Sequence, residues 1–297
     1  MKGLFQKVFS RKHSPTTEVP TEPIPPETVQ LMEEAQRVEP RQLIVGSAQS
    51  VGRQRDHNED ALLTLTSTLT SDYSNAPFGL FIVADGMGGH HHGEIASGIA
   101  IRDMASYIVS KLYTSILSFN PISPEESIQE IMQTGVQDAH LAITKQVPGG
   151  GTTLTAALIL GKQLTIAHVG DSRAYLLGND NHIEVLTRDH SLVKRLVELG
   201  QITKDEAAIH PQRNVLYRAL GQGEPFDADI KTTPLPPSSY LLLCSDGLWG
   251  VVPDADIYRM VMESTNPESA CQNLIDAANR AGGPDNITVI LVRLPEQ

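Results

Sequence analysis

Apolar residues between Leu43 and Leu294 fall into two kinds of run. Short stretches of Val, Ile, Leu, Ala and Thr, bounded by Gly, Asn, Asp or Pro, read as strands at residues 61–66, 79–84, 153–160, 164–169, 174–177, 183–186, 240–244 and 287–292. Short turns such as Gly161-Lys162 and Gly178-Asn179-Asp180-Asn181 join several of them, which favours antiparallel pairing. Helical spacing prevails in two other places. Residues 94–117 carry Ile95, Ile99, Met104, Ile108, Leu112 and Ile116 on one stripe, followed by a second helix over 124–146, and a further pair lies within 254–281. Strands and helices grouped in separate runs predict an α+β fold, not a doubly wound parallel sheet. Two mostly antiparallel β-sheets flanked by helices, a four-layer α-β-β-α sandwich, would bury all of these faces.

The pattern starts only after residue 42. Ahead of it, Pro15, Pro20, Pro23, Pro25, Pro26 and Pro40 stand among Thr, Glu and Gln, so residues 1–42 are expected to be a flexible Pro-rich tail. Its first residues place Leu4, Phe5, Val8 and Phe9 at helical spacing beside Lys2, Lys7, Arg11 and Lys12. So short a helix is marginal alone; disorder is the favoured reading, and weak membrane-surface or partner contact is the alternative. Residues 43–297 show no second linker or repeat and read as one domain.

Composition narrows the classes. A net charge of -12, from 23 basic and 35 acidic residues, repels phosphate backbones and argues against a nucleic-acid partner. Two cysteines, Cys244 and Cys271, supply neither a disulfide framework nor a Cys-based zinc site, and a reducing, cytoplasmic compartment is expected. Apolar stretches such as 241–244 fall far short of the roughly 20 residues of a membrane span, so no integral span is expected. The start lacks the apolar core and cleavage site of a secretory signal.

Three apolar strands end on aspartate beside glycine: Phe81 to Asp85-Gly86, Ile166 to Gly170-Asp171, and Leu241 to Asp246-Gly247. A fourth pair, Asp285-Asn286, opens the last strand. Asp-Gly is ordinary turn chemistry, but four carboxylates at core strand edges repel one another and lose hydration. Apart from Arg173 no cation lies within these segments, so a divalent cation is the natural counter-charge. An all-oxygen ligand set suits Mg²⁺ or Mn²⁺ rather than zinc.

These residues also carry a resemblance. The motifs Val51-Gly52-Arg53-Gln54-Arg55-Asp56-His57-Asn58-Glu59-Asp60, Asp85-Gly86-Met87-Gly88-Gly89-His90, Gly151-Thr152-Thr153, Val169-Gly170-Asp171-Ser172-Arg173, Cys244-Ser245-Asp246-Gly247-Leu248 and Gly283-Pro284-Asp285-Asn286 occur in the order and spacing of the metal-dependent protein phosphatases (PPM, the 2C type). Leu186 to Val193, through His210-Pro211 and Asn214 to Gly221, resembles the bacterial branch. The resemblance covers about residues 44–294 and implies a protein serine/threonine phosphatase with a dinuclear metal site at the sheet edges. It implies that Asp85 bridges two divalent cations, Mn²⁺ or Mg²⁺, with the Gly86 carbonyl completing one site. Asp246 and Asp285 would hold the first metal, Asp60 and Glu59 the second, directly or through water, and Asp171 would share a weaker third with Asp246. A metal-bridging hydroxide would attack phosphorus in line, without a phosphoenzyme. Arg55, rather than the nearby Arg53, would clamp the phosphate. Similar eukaryotic enzymes carry histidine where this chain has Met87, so the leaving-group proton would come from metal-bound water or from His90.

The resemblance further implies phosphorylated proteins as substrates, a cognate bacterial Ser/Thr kinase as opponent, a monomer, and a mobile flap over about residues 189–220. The flap carries Lys194, Arg195, Lys204, Arg213 and Arg218, a basic set that would steer a phosphorylated segment. Its helix over 191–199 should stop at Gly200. A pseudophosphatase binding module and a small-molecule phosphomonoesterase are the alternatives. Weaker signals read as structure: His90-His91-His92 as a polar loop, His168 as a satisfied core histidine, and Gly149-Gly150-Gly151 as a tight entry into a strand.

Overall fold

A computed structural model describes residues 42–71, 74–88, 91–118, 125–178, 182–223 and 226–295. The tail and its basic apolar stretch lie outside the described residues, as does His90. The chain begins with β1 (Ile44–Ser50), β2 (Asp60–Ser71) and β3 (Ser74–Met87). Helix α1 (His91–Ile108) continues through a π turn at Val109–Tyr113 into one last α turn, Thr114–Ile116. Next come α2 (Ile128–Gln146), β4 (Gly151–Thr152), β5 (Leu154–Leu160), β6 (Gln163–Val169), β7 (Arg173–Leu177) and β8 (Ile183–Val185). Two short helices, α3 (Leu192–Glu198) and α4 (Lys204–Ala208), precede β9 (Asp229–Pro234) and β10 (Tyr240–Cys244). The chain ends with α5 (Asp246–Trp249), α6 (Asp254–Glu263), α7 (Pro267–Arg280) and β11 (Ile287–Arg293).

The strands form two antiparallel sheets, β1-β11-β10-β7-β8 and β2-β3-β5-β6-β9, with β4 attached to β3. β3 shows why they stack. Leu80, Ile82 and Ala84 pack against Met104, Ile108, Ile131 and Val136 of the helices, whereas Phe81 and Val83 point the other way, onto Leu241, Leu243, Ile290 and Val292 of the second sheet. Side chains alternate along a strand, so burial on both faces writes a continuous apolar run. On the far side Leu242, Val289 and Leu291 meet Ile257, Val261, Leu274 and Ile275 of α6 and α7. The expected four layers are therefore present.

Differences from the pattern have physical causes. β1 and β9 went unread because each lies at a sheet edge and buries little, the first as IVGSAQS and the second as DIKTTP. β2 and β3 outrun their apolar segments because they pair with one another as a ribbon as far as Ser71 and Ser74. The polar-loop reading of the histidine cluster is corrected: His91 and His92 open α1. The helix expected from residue 124 is helical from Ile128, where Ser127 and Glu130 cap it reciprocally.

Candidate functional site

The register of β2 on β3 puts Asp60 directly opposite Asp85. Asp246 is the first residue of α5, directly after β10, and Asp285 stands in the loop before β11. Asp171 lies in the turn between β6 and β7. Ends of strands from both sheets thus bring the predicted carboxylates together. Burial first, then mutual repulsion, pushes their protons on: Asp60 rises to about 7 and Asp246 to about 6, and Asp85 and Asp171 rise well above the ordinary carboxylate range.

Hydrogen bonds position one side of the cluster and leave the other open. Asp60 Oδ2 accepts from Ser245 Oγ and Thr288 Oγ1, each at 2.7 Å. Asp60 Oδ1 and Asp246 Oδ1 are buried without a donor, an arrangement costing about 1–3 kcal/mol per group unless something else fills it. Neutral donors cannot be the missing partner for four crowded acids; a hard cation can. Among the described residues no group of three or more His, Cys, Asp or Glu is gathered as a ready-made cage.

Gly86 and Gly247, beside Asp85 and Asp246, serve close approach, whereas Gly170, beside Asp171, turns at φ +105°. A Cβ on Gly86 would lie 2.2 Å from the Gly93 carbonyl oxygen, and one on Gly247 would lie 1.9 Å from that of Asn286. Glu59 is held through its backbone: its N–H donates to Asn286 Oδ1 at 2.8 Å and its carbonyl accepts from Ser97 Oγ at 2.6 Å. Its carboxylate lies 3.2 Å from His57 Nε2. Asn286 also donates to the carbonyls of Val51 and His57, at 2.8 and 2.9 Å, and so fixes the loop that carries Arg55. The Arg55 guanidinium, 46% exposed, binds Asp285 Oδ2 at 2.7 Å. Burial opposes its charge but the neighbouring carboxylates prevail, and its pKa is raised. Arg53 instead donates its backbone N–H to Gly283 at 2.8 Å.

The family model described as Protein phosphatase 2C matches residues 44–287. The chain belongs to the protein phosphatase 2C family. It is a metal-dependent protein serine/threonine phosphatase by that membership and by its relatives. It is 40% identical over 243 residues to the serine/threonine phosphatase stp of Listeria innocua, covering 81% of this chain and 92% of that protein. The S. agalactiae serine/threonine phosphatase superposes with a TM-score of 0.73 at 33% identity, over 85% of this chain and all of that one. The catalytic domain of the phosphatase PstP, solved with two manganese ions, gives 0.69 at 30% identity, over 86% of this chain and 100% of that one.

In this phosphatase several residues that sequence reasoning missed support the acids. Ser245 and Thr288 hold Asp60, and Thr153 Oγ1 accepts from the Asp85 N–H at 2.9 Å. Their only signal was position: each adjoins a motif aspartate or ends a core strand. His168 is a core histidine as expected, 1% exposed, bonded to Thr155 Oγ1 and the Arg188 carbonyl at 3.0 Å each, and pulled down to about 4 chiefly by burial. The segment from Asp189 to Leu220 docks through His190, whose N–H donates to the Gly170 carbonyl at 2.7 Å. The helix read over 191–199 spans Leu192–Glu198, with Ser191 as its cap, and Gly200 follows it at φ +69° as expected. The segment's basic set is partly neutralised, Arg218 lying 3.2 Å from Asp229 and Arg195 3.9 Å from Glu198.

Proposed function

We propose that the enzyme removes phosphate from phosphoserine and phosphothreonine in proteins, opposing a bacterial Ser/Thr kinase as a monomer, with its two cations held by the clustered acids. Asp85 with the Gly86 carbonyl, Asp246 and Asp285, and Asp60 with Glu59 would hold these cations, and Asp171 with Asp246 would hold a weaker third. The observation that carries this reading is the pair of buried, donorless oxygens on Asp60 and Asp246. Manganese in the PstP catalytic domain supports it by analogy. When bound, such cations supply an acidified water near neutral pH and positive charge for the phosphoryl oxygens.

The chain's own groups do the rest. Arg55 exchanges Asp285 for the substrate and presents its planar fork to two phosphate oxygens. Ser245 and Thr288 occupy Asp60 Oδ2 and would leave Oδ1 for a cation. Two buried free thiols agree with work in a reducing compartment, and among the described residues no helix is long and apolar enough to cross a membrane.

The test is release of phosphate from a phosphothreonine peptide, measured in EDTA and then with Mn²⁺ or Mg²⁺, beside Asp85→Asn. Turnover that needs the metal and falls by orders of magnitude in the variant, with an unchanged circular-dichroism spectrum, is expected. Near-normal activity of Asp85→Asn would sink the metal assignment, and faster hydrolysis of metabolite phosphates would move the substrate class.

A further inference from the structure

Residues 51–59, between β1 and β2, form neither helix nor strand, so the loop that presents Arg55 takes its shape from what it touches. It touches the turn before β11. Arg53 and Gln54 donate their backbone N–H groups to the Gly283 carbonyl at 2.8 and 3.1 Å. Gly52, at φ +83°, lies so close to this turn that a Cβ there would stand 2.2 Å from the Asp285 carbonyl oxygen. Asn286 completes the contact from its buried position. Its side-chain oxygen accepts from the Glu59 N–H at 2.8 Å, and its nitrogen donates to the carbonyls of Val51 at 2.8 Å and His57 at 2.9 Å. A primary amide carries both an acceptor and two donors, so one side chain satisfies three backbone groups that lie on both sides of Arg55.

The acids near this loop have other supports. Asp285 Oδ1 accepts from the Asn286 backbone N–H at 2.9 Å, a bond that alanine at this position would keep. The Glu59 carbonyl accepts from Ser97 Oγ at 2.6 Å and from the Gly86 N–H at 3.2 Å. The Asn286 side chain thus bears on the loop backbone, and its removal would spare these contacts.

We propose that Asn286 is a positioning residue for phosphate transfer: its amide sets the 51–59 loop so that the Arg55 guanidinium meets the substrate phosphate. The inference rests on the reading of Arg55 as the phosphate clamp. A residue that acts through another loses its effect once that other is removed, and a double-mutant cycle reads this directly. A residue that only holds the fold together keeps its effect in both backgrounds.

The experiment measures kcat and KM on a phosphothreonine peptide at saturating Mn²⁺ for the full-length parent, Asn286→Ala, Arg55→Ala and the double variant. Misplacing a positioned group by about 1 Å costs up to about a hundredfold, so Asn286→Ala should lower kcat/KM by about ten- to a hundredfold in the parent and by less than about twofold in the Arg55→Ala background. Mn²⁺ affinity, read by electron paramagnetic resonance, should be the same in Asn286→Ala as in the parent. Hydrogen exchange in metal-free protein should quicken over residues 53–59 and not over 287–292. An equal loss of kcat/KM in both backgrounds, weakened Mn²⁺ binding in Asn286→Ala, or unchanged exchange of the loop overturns the proposal. Should Asn286→Ala fail to fold, Asn286→Ser takes its place in the cycle, since a hydroxyl has one donor where the loop needs two. Unchanged kcat/KM in Arg55→Ala alone would instead refute the clamp itself.

Discussion

Stripped of cations, the protein should lose stability as pH rises, in a window where most proteins are flat. Asp60 titrates near 7 when folded, and Asp85 and Asp171 well above the ordinary range, because burial and neighbouring acids disfavour their charged forms. Unfolded, each returns to about 4. A carboxyl raised on folding contributes stability that is full below its unfolded value and is lost as pH climbs through its folded value. For Asp60 that is about three pKa units, or about 4 kcal/mol. Each carboxyl still protonated when folded and ionised when unfolded gives a slope of about -1.4 kcal/mol per pH unit.

Other groups restrict where this can be read. His168, depressed to about 4 by burial, contributes in the opposite sense: its stability is present above its unfolded value and lost as pH falls toward 4. It therefore masks the acids between 4 and 6.5. Cys271, pushed up to about 12 by burial, adds a slope of the acids' own sign once unfolded thiols ionise, above about 8.5. Between pH 7 and 8 His57, raised by its hydrogen bonds to Asp56 and Glu59, acts in the acids' own sense, so the comparison with Asp85→Asn isolates the acids. Urea unfolding in EDTA at fixed ionic strength should show stability falling with pH across that unit, by up to about 1.4 kcal/mol for each carboxyl that stays protonated in the folded protein. Mg²⁺ should abolish the fall, because metal binding displaces the protons, and Asp85→Asn should make the EDTA slope shallower. A flat or rising profile in EDTA, or an unaltered slope in Asp85→Asn, would refute the reasoning.

Arg55→Ala should lower kcat/KM on a phosphopeptide by about a hundredfold while leaving Mn²⁺ affinity unchanged or slightly tighter, since Asp285 loses the cation that now pairs with it; calorimetric titration showing weakened Mn²⁺ binding would count against the clamp. Gly247→Ala should destabilise the fold by at least about 2 kcal/mol, because its methyl group would lie 1.9 Å from the Asn286 carbonyl oxygen. Equal urea midpoints for variant and parent would show that the close approach is not needed.

The fold was legible where burial is two-sided. β3, β5, β10 and β11 wrote continuous apolar runs because helices cover one face and the other sheet covers the opposite one. Edge strands β1 and β9 wrote none, and what identifies them is their hydrogen-bonded neighbours, a non-local property. The site shows the same division. Asp85, Asp171, Asp246 and Asp285 were legible because charge at the end of a core strand needs a counter-charge, whereas Asp60, at the start of β2, came only from the resemblance. Ser245, Thr288 and Asn286 were not, because an uncharged hydroxyl or amide becomes informative only when its partner is known. The pairing of Arg55 with Asp285 spans most of the chain and had no local signature.

That division also explains why the acids must straddle two sheets. Asp60 and Asp85 hang from the β2–β3 ribbon, and Asp246 and Asp285 from the ends of β10 and β11, with the apolar layer of Phe81, Val83, Leu243 and Ile290 clamped between. Repulsion among like charges at this edge acts to part the sheets, and the shared core opposes it. A cation bound across the gap would reverse the sign of that force. The same geometry that makes the edge unfavourable without metal would favour a multivalent cation, since a monovalent ion would leave most of the clustered charge uncompensated.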